Sequence, residues 1–215
     1  MKKVLAVIGV ILAAVGMLAL IIFTSMGENY DKIIEPSDEN GNIPEKILGN
    51  KDTAKVILYE YADYGCTHCA EWNDTINDLV NQYNGKLAVV FRSFDLGYQN
   101  GNIVSRAATA AQLQGYWKEF KDIVFEKQEE WFYADSAEIN RLLNEYFQYA
   151  SKNNGNLATF QRDLSSERVK TRVSFENRIG LKIGIEGTPT FRLNGVGISA
   201  ANLEEKIAEK INKLQ

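Results

Sequence analysis

The chain has 215 residues, 45% of them hydrophobic, and a formal net charge of −4. That is enough apolar material for one packed core of ordinary domain size, and no internal repeat or low-complexity tract interrupts it. With 28 acidic against 24 basic side chains and no basic cluster, nucleic acid is not expected as the main partner.

Met1-Lys2-Lys3 leads into an uncharged apolar run from Val4 to Phe23. Twenty helical residues span ~30 Å, the thickness of a bilayer core. A cleavable signal peptide has a shorter apolar centre and a small-residue cleavage site, of which Thr24-Ser25-Met26-Gly27 is a poor version. Residues 1–23 therefore read as an uncleaved transmembrane anchor in the lipid bilayer. Lys2 and Lys3 stay in the cytoplasm and the rest of the chain lies outside, at the cell membrane. On either reading the following residues occupy a compartment where disulfides persist. Residues 24–50 are polar and acidic, with Pro36, Gly41, Asn42 and Pro44 as punctuation, and are expected to form a tether averaging ~30 Å end to end. Ile43, Ile47 and Leu48 are its candidates for docking onto a folded domain expected over 51–215.

Lys55 to Tyr61 is apolar on both faces except for Glu60, as in a central strand buried on both sides. Glu60 is either a rim charge or a functional buried acid. Next comes Tyr64-Gly65-Cys66-Thr67-His68-Cys69, which holds both cysteines and the single histidine of the chain. Trp72, Ile76, Leu79, Val80 and Tyr83 then recur at the spacing of one helix face, and Asn84-Gly85 stops that helix. Lys86 to Phe94 is a second buried strand, which completes a parallel strand–helix–strand unit.

From about 102 to 180 only helical patterns occur. Ala107, Ala108, Ala110, Ala111 and Leu113 form a small-residue helix; Trp117, Phe120, Val124 and Phe125 a second; Ile139, Leu142, Leu143, Tyr146, Phe147 and Ala150 a third. Phe160 and Leu164 suggest a short turn, and Val169 and Val173 lie on a last helix ending at Gly180. Trp117, Trp131 and Phe147 are expected in the core. β pattern returns at Thr188 to Leu193, followed by Asn194-Gly195 and Val196-Gly197-Ile198, the signature of a hairpin. Ser199 is placed to cap a final helix with the face Leu203, Ile207, Ile211 and Leu214. The order gives an α/β fold, a four-stranded mixed sheet with an inserted all-helical subdomain.

The cysteines sit where a strand gives way to a helix, so unpaired N–H groups and the positive end of the helix dipole favour a thiolate at Cys66. Three chemistries compete for the pair. A structural zinc site wants four ligands, usually as two separated pairs, and the chain has no second pair. A purely structural disulfide between such near neighbours would close a tiny loop and restrain little of the unfolded chain. Redox exchange is the reading that suits the position. No metal or cofactor is expected.

A Cys-x-x-Cys at the first helix and Gly187-Thr188-Pro189-Thr190-Phe191 before the hairpin, some 120 residues later, resemble the thioredoxin fold. More narrowly, the pattern over about 44–215 is similar to the DsbA-type thiol–disulfide oxidoreductases, which carry a helical insertion. The resemblance implies an exposed nucleophile at Cys66, a buried resolving cysteine at Cys69 and a cis-proline at Pro189 facing them. The flanking residues of the two motifs, Thr67 and Thr188, are then expected to meet substrate, with the Thr188 backbone pairing with peptide as an added strand. It makes Glu60 the proton carrier beneath Cys69, and gives His68 a hydrogen bond or positive charge to offer the Cys66 thiolate. A histidine there resembles the oxidases of the family, whereas Thr67 replaces a proline they often carry. The implied partners are exported cysteine-containing proteins and a quinone-linked membrane oxidase that reoxidises the pair. A reductase or isomerase would use the same residues, and an anchored peptide-binding or chaperone module would use only the groove around Pro189.

Overall fold

A computed structural model describes residues 30–214 of the chain. The run Val4–Phe23, and with it the anchor expected there, lies outside the described residues, among which no helix is long and apolar enough to cross a membrane. Five strands form one mixed sheet: β1 (Lys46–Leu48), β2 (Val56–Ala62), β3 (Leu87–Ser93), β4 (Thr190–Leu193) and β5 (Val196–Ile198), in the spatial order β1-β3-β2-β4-β5. The central pair β2–β3 is parallel, with Val56 opposite Leu87 and Ala62 opposite Ser93; the other three pairings are antiparallel. Every β3 residue is buried, because helices or chain segments cover both faces of the sheet.

One face carries α1 (Thr67–Gln82), most of the inserted helices and the last helix, α8 (Leu203–Asn212), while the last inserted helix, which bears Arg172 and Glu176, lies against the opposite face. Val56, Leu58, Ala62, Val89 and Phe91 point into that layer and form one core with Ile76, Leu79, Phe120, Trp131, Phe147 and Ile207. The insertion comprises α2 (Gly101–Gln112), α3 (Trp117–Glu126), α4 (Gln128–Phe132), α5 (Ser136–Ala150), α6 (Leu157–Leu164) and α7 (Glu167–Lys182). Small residues let α2 lie close to its neighbours, while Phe147 and Phe160 stack with centroids 4.2 Å apart. The residues read as a turn around Phe160 form the two-turn helix α6, opened by Asn156, whose side chain accepts from the Thr159 N–H. The short helix α4 has no counterpart in the sequence reading, since five residues are too few to show a period. Ser199 begins a single 3-10 turn, Ala200–Asn202, without a side-chain cap; α8 starts after Asn202.

The fifth strand comes from the stretch read as tether. From Tyr30 onward the chain is laid across the opposite face of the sheet, and β1 pairs with β3. Two of the acidic residues that suggested a solvated coil, Asp31 and Glu45, are ion-pair partners instead. Glu45, Lys46, Arg92, Arg172 and Glu176 have fully buried side chains and form one connected cluster. Lys46 Nζ donates to both Glu176 oxygens at 2.6 and 2.8 Å, Arg92 Nη2 to Glu45 Oε1 at 2.8 Å, and Arg172 joins Glu45 to Glu176. Arg92 also donates to the Tyr30 and Lys32 carbonyls, Arg172 to that of Ile43, and Arg192 clasps Asp31 at 3.0 and 2.8 Å. No pattern in 30–50 announced this, because each partner lies far along the chain.

Burial alone would raise the Glu176 carboxyl, but Lys46 and Arg172 hold its pKa at about 2. That lies below the ~4.3 of an unfolded glutamate, so its contribution to stability is complete above that value and is lost as pH falls toward 2. Replacing Glu176 by Gln leaves Lys46 and Arg172 facing a neutral group in a dry interior. Chemical denaturation at neutral pH is expected to show a loss of about 3–5 kcal/mol, and the variant's stability should fall less than the wild type's between pH 5 and 3.

Candidate active site

β2 ends at Ala62, and four residues later α1 begins with Cys66 as its N-cap in extended conformation. The turn between them is built by Asp63. Its carboxylate accepts the Gly65 N–H at 2.8 Å and the Leu96 N–H at 2.7 Å, and its carbonyl accepts the Cys66 N–H at 3.1 Å. Asp63 is buried, which pushes its carboxyl up to about 6 against the pull of those two N–H groups.

Both cysteines are free thiols. Cys69 is 0% exposed and Cys66 only 4%, so the exposure expected at Cys66 is confined to a narrow opening; the Thr188 carbonyl closes over its sulfur, accepting from Sγ at 3.3 Å. The thiol of Cys66 is pushed down to about 5. The largest cause is the hydrogen bond from the Cys69 thiol, opposed by burial; the Thr188 side chain and the N–H groups of Cys69 and His68 at the start of α1 assist. The same sulfur–sulfur hydrogen bond and burial raise the Cys69 thiol. The buried Thr188 hydroxyl makes no full hydrogen bond, and it lies close enough to both sulfurs to favour their thiolates. A thiolate beside a protonated thiol is the reduced half of a dithiol–disulfide couple.

The Thr188–Pro189 peptide bond is cis, and its loop meets Cys66 across 122 residues of sequence. Thr67 is exposed and lines a pocket with Tyr98 and Phe132. His68 bonds through its ring to Glu71 and not to Cys66, and of the two offers expected of it only the charge reaches the thiolate, as a lesser cause of the imidazole's raised pKa. Its ring is 76% exposed and its Nδ1 meets Glu71 Oε2 at 2.8 Å, one turn along α1, which raises the imidazole pKa. Cys66 receives the His68 backbone N–H, not a bond from its ring.

Glu60 lies between Phe91 and Phe191 on the neighbouring strands, on the sheet face covered by α1. Burial pushes its carboxyl up to about 7, and the charge of Lys121 on α3 pulls the other way. Lys121 is itself buried, donates to Asn73 Oδ1 and pairs with Asp122 at 3.0 Å, which Lys118 reaches from solvent. A polar chain thus runs from beneath α1 to the surface. Asp63 was missed although it singly interrupts an apolar stretch, which was the available signal; Lys121, beside Asp122 on an amphipathic helix, looks like one of its solvated charges. Among the described residues no group of three or more His, Cys, Asp or Glu is placed to hold a metal ion.

The profile of the family described as Thioredoxin matches residues 42–213. A putative protein-disulfide oxidoreductase from Rickettsia bellii is 29% identical over 195 residues, covering 85% of this chain and 71% of that one. The Na(+)/H(+) antiporter NhaA of Herminiimonas arsenicoxydans is 30% identical over 151 residues, 70% of this chain but only 22% of the antiporter. Among solved structures, oxidised BdbD from Bacillus subtilis shares the fold, with a TM-score of 0.68 at 20% identity over 84% of this chain and 97% of that one.

Titrating thiolate absorbance in the reduced protein is expected to show one group with a midpoint near pH 5, assigned to Cys66 by its loss in Cys66→Ser. With the imidazole held by Glu71 in solvent, His68→Ala should move that midpoint by less than about 0.5 unit, the scale of a screened surface charge. A shift of a full unit or more would return the ring to the thiolate.

Proposed function

Because the chain belongs to the thioredoxin family and is homologous to protein-disulfide oxidoreductases, we propose that it is an extracytoplasmic dithiol oxidase, held at the membrane through Val4–Phe23, that introduces disulfides into exported proteins. The observation that carries this reading is the split between the two thiols, Cys66 pushed down to about 5 and Cys69 pushed up. A stable Cys66 thiolate favours the reduced form of the pair and makes its disulfide an oxidant.

In the oxidised enzyme a substrate thiolate attacks Sγ of Cys66. The Cys66–Cys69 bond breaks, a substrate–Cys66 disulfide forms, and Cys69 leaves with the bonding electron pair. Glu60, near pKa 7, is suited to give Cys69 its proton and to take it back on reoxidation. A second substrate thiolate then attacks the substrate sulfur and expels Cys66, whose low pKa makes it a good leaving group. Two substrate thiols become one disulfide and two electrons remain on the Cys66–Cys69 dithiol. A quinone-linked membrane oxidase takes them, and an anchored enzyme is well placed to meet it. The Thr188 carbonyl at the Cys66 sulfur supports strand-like pairing with a substrate chain that displaces that contact, with Pro189 and Thr67 as neighbouring contacts.

Mixing the oxidised full-length protein with a reduced, unfolded protein of several cysteines should transfer one disulfide per molecule and leave Cys66 and Cys69 reduced. Neither Cys66→Ser nor Cys69→Ser should transfer any. A double Cys66→Ser, Cys69→Ser variant that still served exported proteins in cells would replace the oxidase with a peptide-binding module.

A further inference from the structure

A pocket of about 420 Å³ opens beside the cysteine motif, lined by Gly65 and Thr67 on either side of Cys66 in sequence and by residues at α4. That volume is in the ~300–1,000 Å³ range of small-ligand sites and exceeds what one side chain fills. Three aromatic rings wall it. Tyr98 and Phe132 lie with centroids 6.0 Å apart and Phe132 and Tyr133 4.7 Å apart, edge to face. Tyr133 is 80% and Tyr98 40% exposed, an aromatic surface without cover at the mouth of a reactive thiol.

The wall is fixed against the cysteine motif. A Cβ at Gly65 would come within 2.6 Å of Tyr98 Cβ and 3.3 Å of Phe132, so only glycine before Cys66 lets these rings close over the turn. Gln128 at the start of α4 donates to the Tyr64 carbonyl at 2.7 Å and locks the helix to the same turn. Tyr98 is near enough to Cys66 that, after burial, the thiolate's negative charge is the next cause of its raised phenol pKa.

The pocket's charge is one-sided. Glu129 lines it, and no lysine or arginine does. The neighbouring Glu130 is engaged by Lys127 at 2.8 Å and by the Tyr146 hydroxyl at 3.0 Å, whereas Glu129 has no ion-pair partner among the described residues. Aromatic faces and a carboxylate together attract a cation. An apolar side chain gains the rings alone. An acidic one meets repulsion from Glu129.

We propose that this pocket is a specificity site that receives a lysine or arginine side chain adjoining the reactive cysteine of the substrate. The inference rests on the disulfide-exchange function proposed above and gives it a substrate class: cysteines flanked by basic residues react first. While the substrate cysteine engages Cys66 along the Thr188 edge, the neighbouring side chain enters between Tyr98 and Tyr133, with its charge against Glu129.

The oxidised full-length protein in detergent is mixed with dicysteine peptides that carry Lys, Ala or Glu before or after the first cysteine. Acid quenching and mass analysis give the rate of peptide disulfide formation, and dithiothreitol serves as a substrate without side chains. On at least one flank the expected order is Lys above Ala above Glu, with about fivefold between the extremes at low salt and less at high salt. Glu129→Lys should invert the order of Lys and Glu, and Tyr133→Ala should shrink the advantage of Lys over Ala. Both positions are exposed, so neither change disturbs the core. Equal rates for all peptides, with dithiothreitol oxidised normally, would overturn the pocket assignment and leave the oxidase reading intact. Failure to oxidise dithiothreitol and every peptide would overturn both.

Discussion

The constraint on which the site depends is that a negative sulfur must be held at the first turn of α1 with no cation touching it. Cys66 is 4% exposed and its nearest charged neighbour on the motif, His68, is turned away to Glu71. Stabilisation comes from dipoles: the Cys69 thiol, the Thr188 side chain, and the backbone N–H groups of Cys69 and His68 in the first turn of the helix. Each of these has a fixed position only if the strand–helix turn and the Thr188–Pro189 loop are fixed. Asp63 performs the first task by tying Gly65 to Leu96, and β4 performs the second by pairing with β2. A dipolar arrangement of this kind loses little to salt, since its parts are buried and close, unlike a surface ion pair.

The two faces of the sheet divide the work. The α1 face carries the sulfurs, Glu60 and the chain of polar groups from Lys121 to Asp122. The other face carries the buried cluster of Glu45, Lys46, Arg92, Arg172 and Glu176, which joins residues 30–46, β3 and α7 into one unit. Such a cluster is a weak source of net stability, because desolvation offsets much of the attraction. It does fix geometry, since each charge is satisfied in one arrangement only. Glu176 also accepts the Ser93 N–H at 2.9 Å, at the end of β3, so the cluster reaches the loop that contains Leu96 and Tyr98. The rear ion network and the dithiol turn are thereby linked through one strand end.

Most of the fold was legible because its signals are local. The strand–helix–strand unit, the long helices and the Asn194-Gly195 hairpin each announce themselves within a few residues, and all occur where the periodicity places them. The placement of both cysteines at a helix start was legible for the same reason. What stayed hidden depends on partners distant in sequence. β1 and the segment before it looked like a solvated tether because charge is usually a surface property; here Glu45 finds Arg92 and Arg172, 47 and 127 residues away. The His68 ring went to Glu71 because a carboxylate one helical turn away was a nearer partner than the thiolate, and a single sequence does not rank such options. The pocket wall on α4 was invisible since Phe132 and Tyr133 belong to no stripe long enough to carry a period.

In the proposed oxidase, the split in thiol pKa makes the Cys66–Cys69 disulfide an oxidant. The direct measurement is the equilibrium reduction potential of the pair in glutathione buffers. A value close to about −120 mV, the strongly oxidising end of the thioredoxin-fold range, is what a stabilised Cys66 thiolate predicts. A value near about −270 mV would mean that the reduced form has no such advantage, and would make the protein a reductase instead.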